Sequence, residues 1–384
     1  MNPQEFTTST AGQAIRTPKG YWAFLPAPLP PKINWLPNLV SLVGEAERAL
    51  AELSWVGQSF PEPHVMVRAF IRQEAVMSSR IEGTRASLDD VYQYEADQLS
   101  FLEPNSDVRE VHNYVTALDY GITRLDSLPV SLRLIRELHG HLMEGVRGDM
   151  WTPGEFRQSQ NWIGAAGSTL ESAAYVPPPV EEMTAALGQL ERFIHDPSDL
   201  PHVVRAGLIH YQFEAIHPFL DGNGRVGRLL ISLLLCQWKL LPQPLLYLSG
   251  YFEKNRSEYY NLLLAVSQRG RWEEWLSFFL TGIRDQSRVT ARCVQGLQSL
   301  RAQYHQLHAG KRDGLRLNKL VDYLIGSPIV TIKQVKDGLG LTDYKIAQRY
   351  VTKLQDEGIL REVTGKTRNR LFRADEILRV IESA

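Results

Sequence analysis

His217-Pro218-Phe219-Leu220-Asp221-Gly222-Asn223-Gly224-Arg225-Val226-Gly227-Arg228 places an imidazole, a carboxylate, an amide and two guanidiniums in one short run. Gly222 and Gly224 let the backbone turn through positive φ and approach a ligand with no Cβ in the way, so consecutive N–H groups can converge on an oxyanion. The apolar residues that follow Val226 predict a buried helix starting near Arg225 or Val226, whose N-terminus adds partial positive charge at the same point. Arg225 and Arg228, three apart on its first turn, share a face from which their forks can hold successive phosphates. Asp221 is the natural ligand for a Mg2+ bridging those phosphates. That leaves His217 as the group able to accept a proton from an incoming hydroxyl near neutral pH. Either half of the run alone is commonplace, since Asp-Gly-Asn-Gly is an ordinary turn; the joint pattern is far more specific.

The run resembles the Fic-domain signature His-x-Phe-x-(Asp/Glu)-Gly-Asn-Gly-Arg-x-x-Arg, with every specified position filled. The resemblance implies catalysis by His217, metal binding by Asp221, and a nucleotide site built from Gly222, Asn223, Gly224, Arg225, Val226, Gly227 and Arg228. Phe219 is then the anchor of the loop. Ser78, Glu82 and Gly83 match the family's inhibitory pattern (Ser/Thr)-x-x-x-Glu-(Gly/Asn). Read without it, they are polar positions near a helix end, with Gly83 as a C-cap. Their place ahead of the signature resembles the subclass with an N-terminal inhibitory helix, in which the glutamate pairs with the second arginine, here Arg228. An Arg228 neutralised by Glu82 cannot also grip a γ-phosphate, so autoinhibition follows. The resemblance also places a flap over residues 160–176, whose edge docks a protein target by main-chain pairing. By its residues the segment is equally a plain surface hairpin or loop. Tyr251, Asn255 and Tyr259 fall where such proteins hold the adenosine end.

Around this centre the composition is that of an ordinary soluble globular chain, long enough for two or three cores. The net charge of −1 is unevenly spread: residues 311–384 carry 15 Lys+Arg against 10 Asp+Glu, and residues 1–310 carry 27 against 33. Two cysteines, Cys236 and Cys293, have no metal-type spacing and fit a reducing compartment. The apolar run from Leu229 to Cys236 is too short to span a bilayer and no signal peptide opens the chain, so a cytoplasmic protein with no membrane partner is expected.

In order, residues 1–37 are Pro- and Gly-rich, with Leu25 to Pro31 expected to be extended and either draped over a domain or mobile; Tyr21, Trp22 and Trp35 favour draping. Helical spacing predicts helices from Leu36 to Leu53, His64 to Ile81, Asp107 to Leu125, Leu132 to Val146, Pro179 to Phe193 and Val203 to Phe213. After the signature come helices to Leu240, over Glu253–Gln268 and Trp272–Arg288, then a polar helical stretch to Arg312. His139 and His141 read as packing or solvated residues, not ligands. The last module predicts helices over Leu317–Leu324, Thr331–Leu339 and Asp343–Glu357, then strands over Ile359–Val363 and Arg370–Arg373, a layout resembling a winged helix. Tyr344, Lys345, Gln348, Arg349, Lys353, Lys366, Arg368 and Arg370 form a phosphate-tracking set there, though such modules also serve protein contacts.

The fold expected is therefore mainly α. It comprises a Fic-type helical bundle with a small β-hairpin flap, an N-terminal helical segment and a C-terminal winged helix-turn-helix. The expected domains are 1–105 (extended and helical, with the inhibitory helix), 106–290 (catalytic), 291–312 (helical linker) and 313–384 (winged helix). The function the resemblance implies is transfer of AMP from ATP, with Mg2+, to a Ser, Thr or Tyr hydroxyl of a protein docked on the flap, self-modification included. Two alternatives stay open: removal of AMP at the same site, and a nucleotide-sensing regulator binding DNA through 313–384. A homodimer fits the family layout, though no residue here requires one.

Overall fold

The structure, a computed structural model, describes residues 1–7, 9–96, 106–146, 152–365 and 369–383. Strands β1 (Gly12–Arg16) and β2 (Trp22–Pro26) pair antiparallel, a hairpin that was not foreseen and that runs directly into the Pro-rich run expected to be extended. Buried Ala23 and Phe24 of β2 fasten it to the helices, which is the physical form of the draping that its aromatic residues suggested.

Helix α1 (Pro37–Gln58) opens with Pro at its first position, where no N–H is needed, and buries Leu39, Val43, Ala46, Leu50 and Leu53 at three- and four-residue spacing. Helix α2 (Pro63–Ile81) starts the same way and ends at Gly83, whose φ of 104° is open to glycine and little else. A short α3 (Leu88–Ala96) follows; residues 97–105 lie outside the described set. The central bundle is α4 (Ser106–Arg124), α5 (Leu132–Leu142), α6 (Val180–His195), α7 (His202–Ile216) and α8 (Asn223–Gln237). Almost every residue of α7 and α8 is buried, as expected of helices at the centre of a bundle. Helix α5 stops at Leu142, one turn before the expected Val146.

Next come α9 (Ser249–Lys254), α10 (Arg256–Arg269) and α11 (Trp272–Leu307). The expected boundary at 290 and the separate linker over 291–312 give way to one helix of 36 residues. Its buried stripe continues past the boundary through Ala291, Val294 and Leu297 and packs along α1, so no break in burial marks a linker.

The C-terminal part is α12 (Gly314–Gly326), β3 (Ile329–Thr331), α13 (Ile332–Gly338), α14 (Tyr344–Asp356), β4 (Arg361–Glu362), β5 (Leu371–Arg373) and α15 (Asp375–Glu382). Its sheet has the order β3-β5-β4, all antiparallel. The three expected helices and the two later strands are present. β3 and α15 were not foreseen, β3 because three residues are too few to show alternation. The module rests on α2 and α3: Gln334 Nε2 donates to the Glu95 carbonyl (3.1 Å) and Arg373 pairs with Asp89 (3.3 Å).

One buried carboxyl fixes α2 within this frame. Glu74, 3% exposed, accepts from Tyr114 Oη on α4 (3.0 Å), and from the N–H (3.1 Å) and hydroxyl of Ser249 on α9. Burial pushes its pKa up to about 7 against an ordinary 4.5, with the Ser249 and Tyr114 hydrogen bonds opposing. Because the folded value lies above the unfolded one, this stability is fully present below 4.5 and is lost as pH rises through about 7. Urea unfolding at a series of pH values should therefore show Glu74→Gln losing less stability between pH 5 and pH 8 than the parent. Glu74→Ala, which strands the Tyr114 and Ser249 donors, should be less stable throughout by about 2–4 kcal/mol.

Candidate active site

Helix α7 ends because Pro218 cannot continue it. His217 is its C-cap in the left-handed region (φ 49°, ψ 62°), with its N–H on the Phe213 carbonyl (3.0 Å). Turned this way, the half-buried imidazole meets a cavity of about 670 Å³. Glu82, Glu214, Asp221, Gly224, Arg228 and Tyr260 line the same cavity. Burial, and then the Arg157 guanidinium, push the His217 pKa down to about 4. The ring is neutral at pH 7 and can take a proton.

The loop after it is closed by its own side chains. Asn223 Oδ1 accepts the Phe219 N–H and its Nδ2 donates to the Phe219 carbonyl, each at 2.8 Å. Asn223 is 2% exposed, so its amide shapes the loop and does not present itself to a phosphate as the signature suggested. Phe219 is fully buried and stacks on His139 at 3.8 Å and 4°. His139 accepts the Gly154 N–H at Nδ1 (2.8 Å) and faces the Asp221 carbonyl through Nε2 (3.1 Å), which assigns the proton to Nε2. Burial lowers its pKa to about 4 and keeps that neutral tautomer in place. From the other side Arg157 Nε donates to the His217 carbonyl (3.0 Å) and Asn161 Nδ2 to the Phe219 carbonyl (2.8 Å).

Asp221 Oδ1 accepts the Gly222 N–H (2.7 Å), and the side chain stays 45% exposed. Among the described residues no three His, Cys, Asp or Glu side chains gather into a metal cluster. A lone accessible carboxylate fits an ion that keeps water and substrate oxygens as its other ligands, as Mg2+ does.

Each glycine of the signature has a neighbour in its missing side chain's place. Gly222, at φ 77°, faces Met143 Sδ, 3.0 Å from where a Cβ would lie. A Cβ at Gly224 would collide with Glu82 Oε1, and one at Gly227 with Glu214 Oε1. The Glu82 carboxylate therefore lies against the first turn of α8, where the helix N-terminus favours an anion.

Arg228 is gripped by α2. Its Nε donates to Ser78 Oγ (2.9 Å), and one terminal nitrogen donates to the Ser78 carbonyl (3.0 Å) and to Glu82 Oε1 (2.6 Å). The other terminal nitrogen is buried and has no partner among the described residues. Burial alone would raise the Glu82 pKa, but Arg228 outweighs it and holds the carboxyl below its usual range, so it is ionised.

Arg225 faces away. Its side chain is 4% exposed, donating to Glu110 Oε2 (3.1 Å) and lying near Met143 Sδ (3.7 Å). The two arginines thus do not form the shared phosphate grip their spacing suggested: Arg225 holds α8 to α4, and Arg228 alone reaches the cavity. Val226 is wholly buried.

Tyr251 and Asn255 lie outside the cavity wall. Tyr251 packs on Phe278 (5.0 Å), and Asn255 Nδ2 donates to the Tyr251 carbonyl (2.9 Å) at the junction of α9 and α10. The wall there belongs to Arg256, Tyr260, Asn261 and Leu264, one face of α10. Tyr259 points inward instead, onto His210 Nε2 (2.8 Å). Glu214 was also not foreseen; one turn before His217, its pKa is pushed up to about 8 by burial, and one buried carboxyl oxygen has no partner among the described residues.

In the C-terminal module, Asp313 neutralises part of the expected cationic set. Lys353 pairs with it at 2.6 Å, and Arg349 lies 3.8 Å from it and over the Tyr350 ring. Tyr344 is 49% exposed; Lys366 and Arg368 lie outside the described residues.

Comparison with known proteins places these features. The family model described as Fic/DOC family N-terminal matches residues 40–123, and that described as Fic/DOC family matches residues 129–235. The chain is 30% identical over 164 residues to a protein adenylyltransferase Fic of Drosophila erecta, and 29% identical to that of Drosophila melanogaster. Each match takes in 41% of this chain and 30% of the fly protein, so the chain aligns with under a third of the length of these relatives. A Fic family protein from Desulfovibrio desulfuricans shares the fold over 90% of this chain and 98% of its own, at a TM-score of 0.58 and 19% identity. Fic-1 from C. elegans does so over 69% and 75%, at 0.52 and 21%. Residues 40–123 and 129–235 are thus a Fic N-terminal domain and a Fic domain.

Proposed function

We propose that this protein transfers AMP from ATP to a Ser, Thr or Tyr hydroxyl of a protein, its own chain included, and that Glu82 restrains it by occupying Arg228. The observation that carries the reading is one cavity faced by a neutral imidazole and a buried guanidinium, with an ionised carboxylate at the helix N-terminus in the position of an anion.

The acceptor hydroxyl oxygen attacks the α-phosphorus and the bond to the bridging oxygen of pyrophosphate breaks. His217, unprotonated at neutral pH, takes the hydroxyl proton. The N–H groups at the start of α8 and the Arg228 guanidinium stabilise charge on the phosphate chain. Asp221 would hold a Mg2+, which would supply neutralisation of part of that charge. Restraint is a competition for one cation: with Arg228 on Glu82, and the carboxylate against Gly224, the tail of ATP cannot take its place at α8.

Removal of AMP from a modified protein is the second reading. Glu82 keeps 35% of its side chain exposed on the wall it shares with His217, where an ionised carboxylate can orient a water. Release of AMP from an adenylylated protein by the parent, absent in Glu82→Gly, would mark that direction.

Intact-mass measurement of the Glu82→Gly chain with ATP and Mg2+ should show added adenylate, with little or none on the parent; equal modification of both forms would remove the restraint. His217→Ala in that background should lower transfer by about 10²–10⁴-fold, with ATP still raising the melting temperature. Because the folded His217 pKa is about 4, kcat/KM of Glu82→Gly should hold level from pH 8 down past 6.5 and fall only as pH approaches 4. An acid limb centred near 6.5 would show a solvated imidazole.

A further inference from the structure

The N-terminal hairpin contributes no side chain to the cavity, yet it grips the flap at its closing strand. Phe24 N–H donates to the Val176 carbonyl (2.8 Å), and Tyr21 Oη donates to Gln160 Oε1 (2.9 Å). The Phe6, Phe24 and Tyr175 rings form a triad with centroids 5.7, 6.3 and 5.9 Å apart. Tyr175 then carries the contact inward: its main chain exchanges both hydrogen bonds with Ile163 (2.8 and 3.0 Å), and its Oη donates to the Ala215 carbonyl (2.7 Å), two residues before His217.

That single bridge between Ile163 and Tyr175 is the only strand pairing inside residues 160–176, where a fuller hairpin was one of the expectations. Ribbons this short do not hold themselves in water. Because Ile163 turns its N–H and C=O to Tyr175, Trp162 and Gly164 turn theirs to the opposite edge, and the Trp162 side chain beside that edge is 43% exposed. The strips run β1, β2, Tyr175-Val176, Ile163, then open edge. An acceptor paired there is placed relative to His217 only as accurately as the strip behind it, and displacement of about 1 Å can cost on the order of 10²-fold in rate.

We propose that the hairpin of β1 and β2 is a positioning element for the protein acceptor: through Phe24 and Tyr21 it braces the flap and so fixes the docking edge against His217. This rests on the transfer reading above. Phe24 and Tyr21 act through the flap and touch no reacting atom.

The test uses the full chain in the Glu82→Gly background, with ATP labelled in the α-phosphate and the His217→Ala chain as acceptor at varied concentration. Tyr21→Phe and Phe24→Ala should raise KM for the acceptor by about threefold and about tenfold or more. KM for ATP and its slow conversion to AMP by water should stay within about twofold. Phe24→Leu should recover most of the loss. Hydrogen exchange on the same proteins should show faster exchange at Ile163 and Tyr175, and no change in the loop after His217. Since Phe24 is fully buried and its truncation can unfold the chain, Tyr21→Phe, which deletes one hydroxyl, decides the matter if Phe24→Ala does not fold. Unchanged acceptor KM with unchanged flap protection would overturn the brace, as would a parallel fall in transfer and in ATP turnover. If the Glu82→Gly parent moves no label at all, the transfer reading fails instead, and the exchange pattern alone decides whether the hairpin braces the flap.

Discussion

A buried guanidinium needs acceptors, and Arg228 finds them for its Nε and one terminal nitrogen in Ser78 and Glu82, about 150 residues earlier in the chain. Removing a charge from water costs several kcal/mol, which only close partners offset. This one requirement couples α2 to α8, and much of the architecture serves it. Glu74 pins α2 to α4 and α9 a turn upstream of Ser78, and Gly83 ends the helix so that Glu82 can turn into the cavity. Gly224 lacks the side chain that would push Glu82 out. A site able to hold phosphate needs a cation and a helix N-terminus; a restraint needs only a carboxylate that fits the same two features.

The signature loop shows a division of labour within a short motif. Phe219 and Asn223 hold the loop's shape, with His139, Arg157 and Asn161 buttressing it from outside. Arg225 ties its helix to α4 through Glu110. That leaves His217, Asp221, Gly224 and Arg228 facing the cavity. Half of the run is therefore framework for the other half, and the lowered pKa of His217 is a consequence of how closely that framework excludes water.

Much of this was legible in the sequence. The helices announced themselves by apolar spacing, and the pairing of Ser78 and Glu82 with Arg228 followed from motif resemblance plus simple charge competition. What the residues could not reveal was direction. Arg225 and Arg228 look equivalent at three-residue spacing, and only packing shows that one faces Glu110 and the other the cavity. Tyr251 and Asn255 sit beside the correct helix, but the break at Asn255 gives the wall to Arg256 and Tyr260. His139, Arg157 and Glu214 carry no local pattern, because each acts on a partner distant in sequence or on the far side of a turn. The β1–β2 hairpin was not foreseen: its five-residue strands lie just ahead of the Pro-rich run that read as extended.

Helix α11 has a mechanical consequence. At 1.5 Å per residue its 36 residues make a rod about 54 Å long, with Trp275 near one end hydrogen-bonded to Gly207 of α7 and Tyr304 near the other hydrogen-bonded to Glu376 of the C-terminal module. Because α1 lies along it, the rod is supported as a girder is, and it bends far less readily than a tether of equal length. Whatever attaches to the far end is thereby held at a fixed span and heading from the cavity beside His217, so reach between the two is set by geometry and not by diffusion of a loose arm.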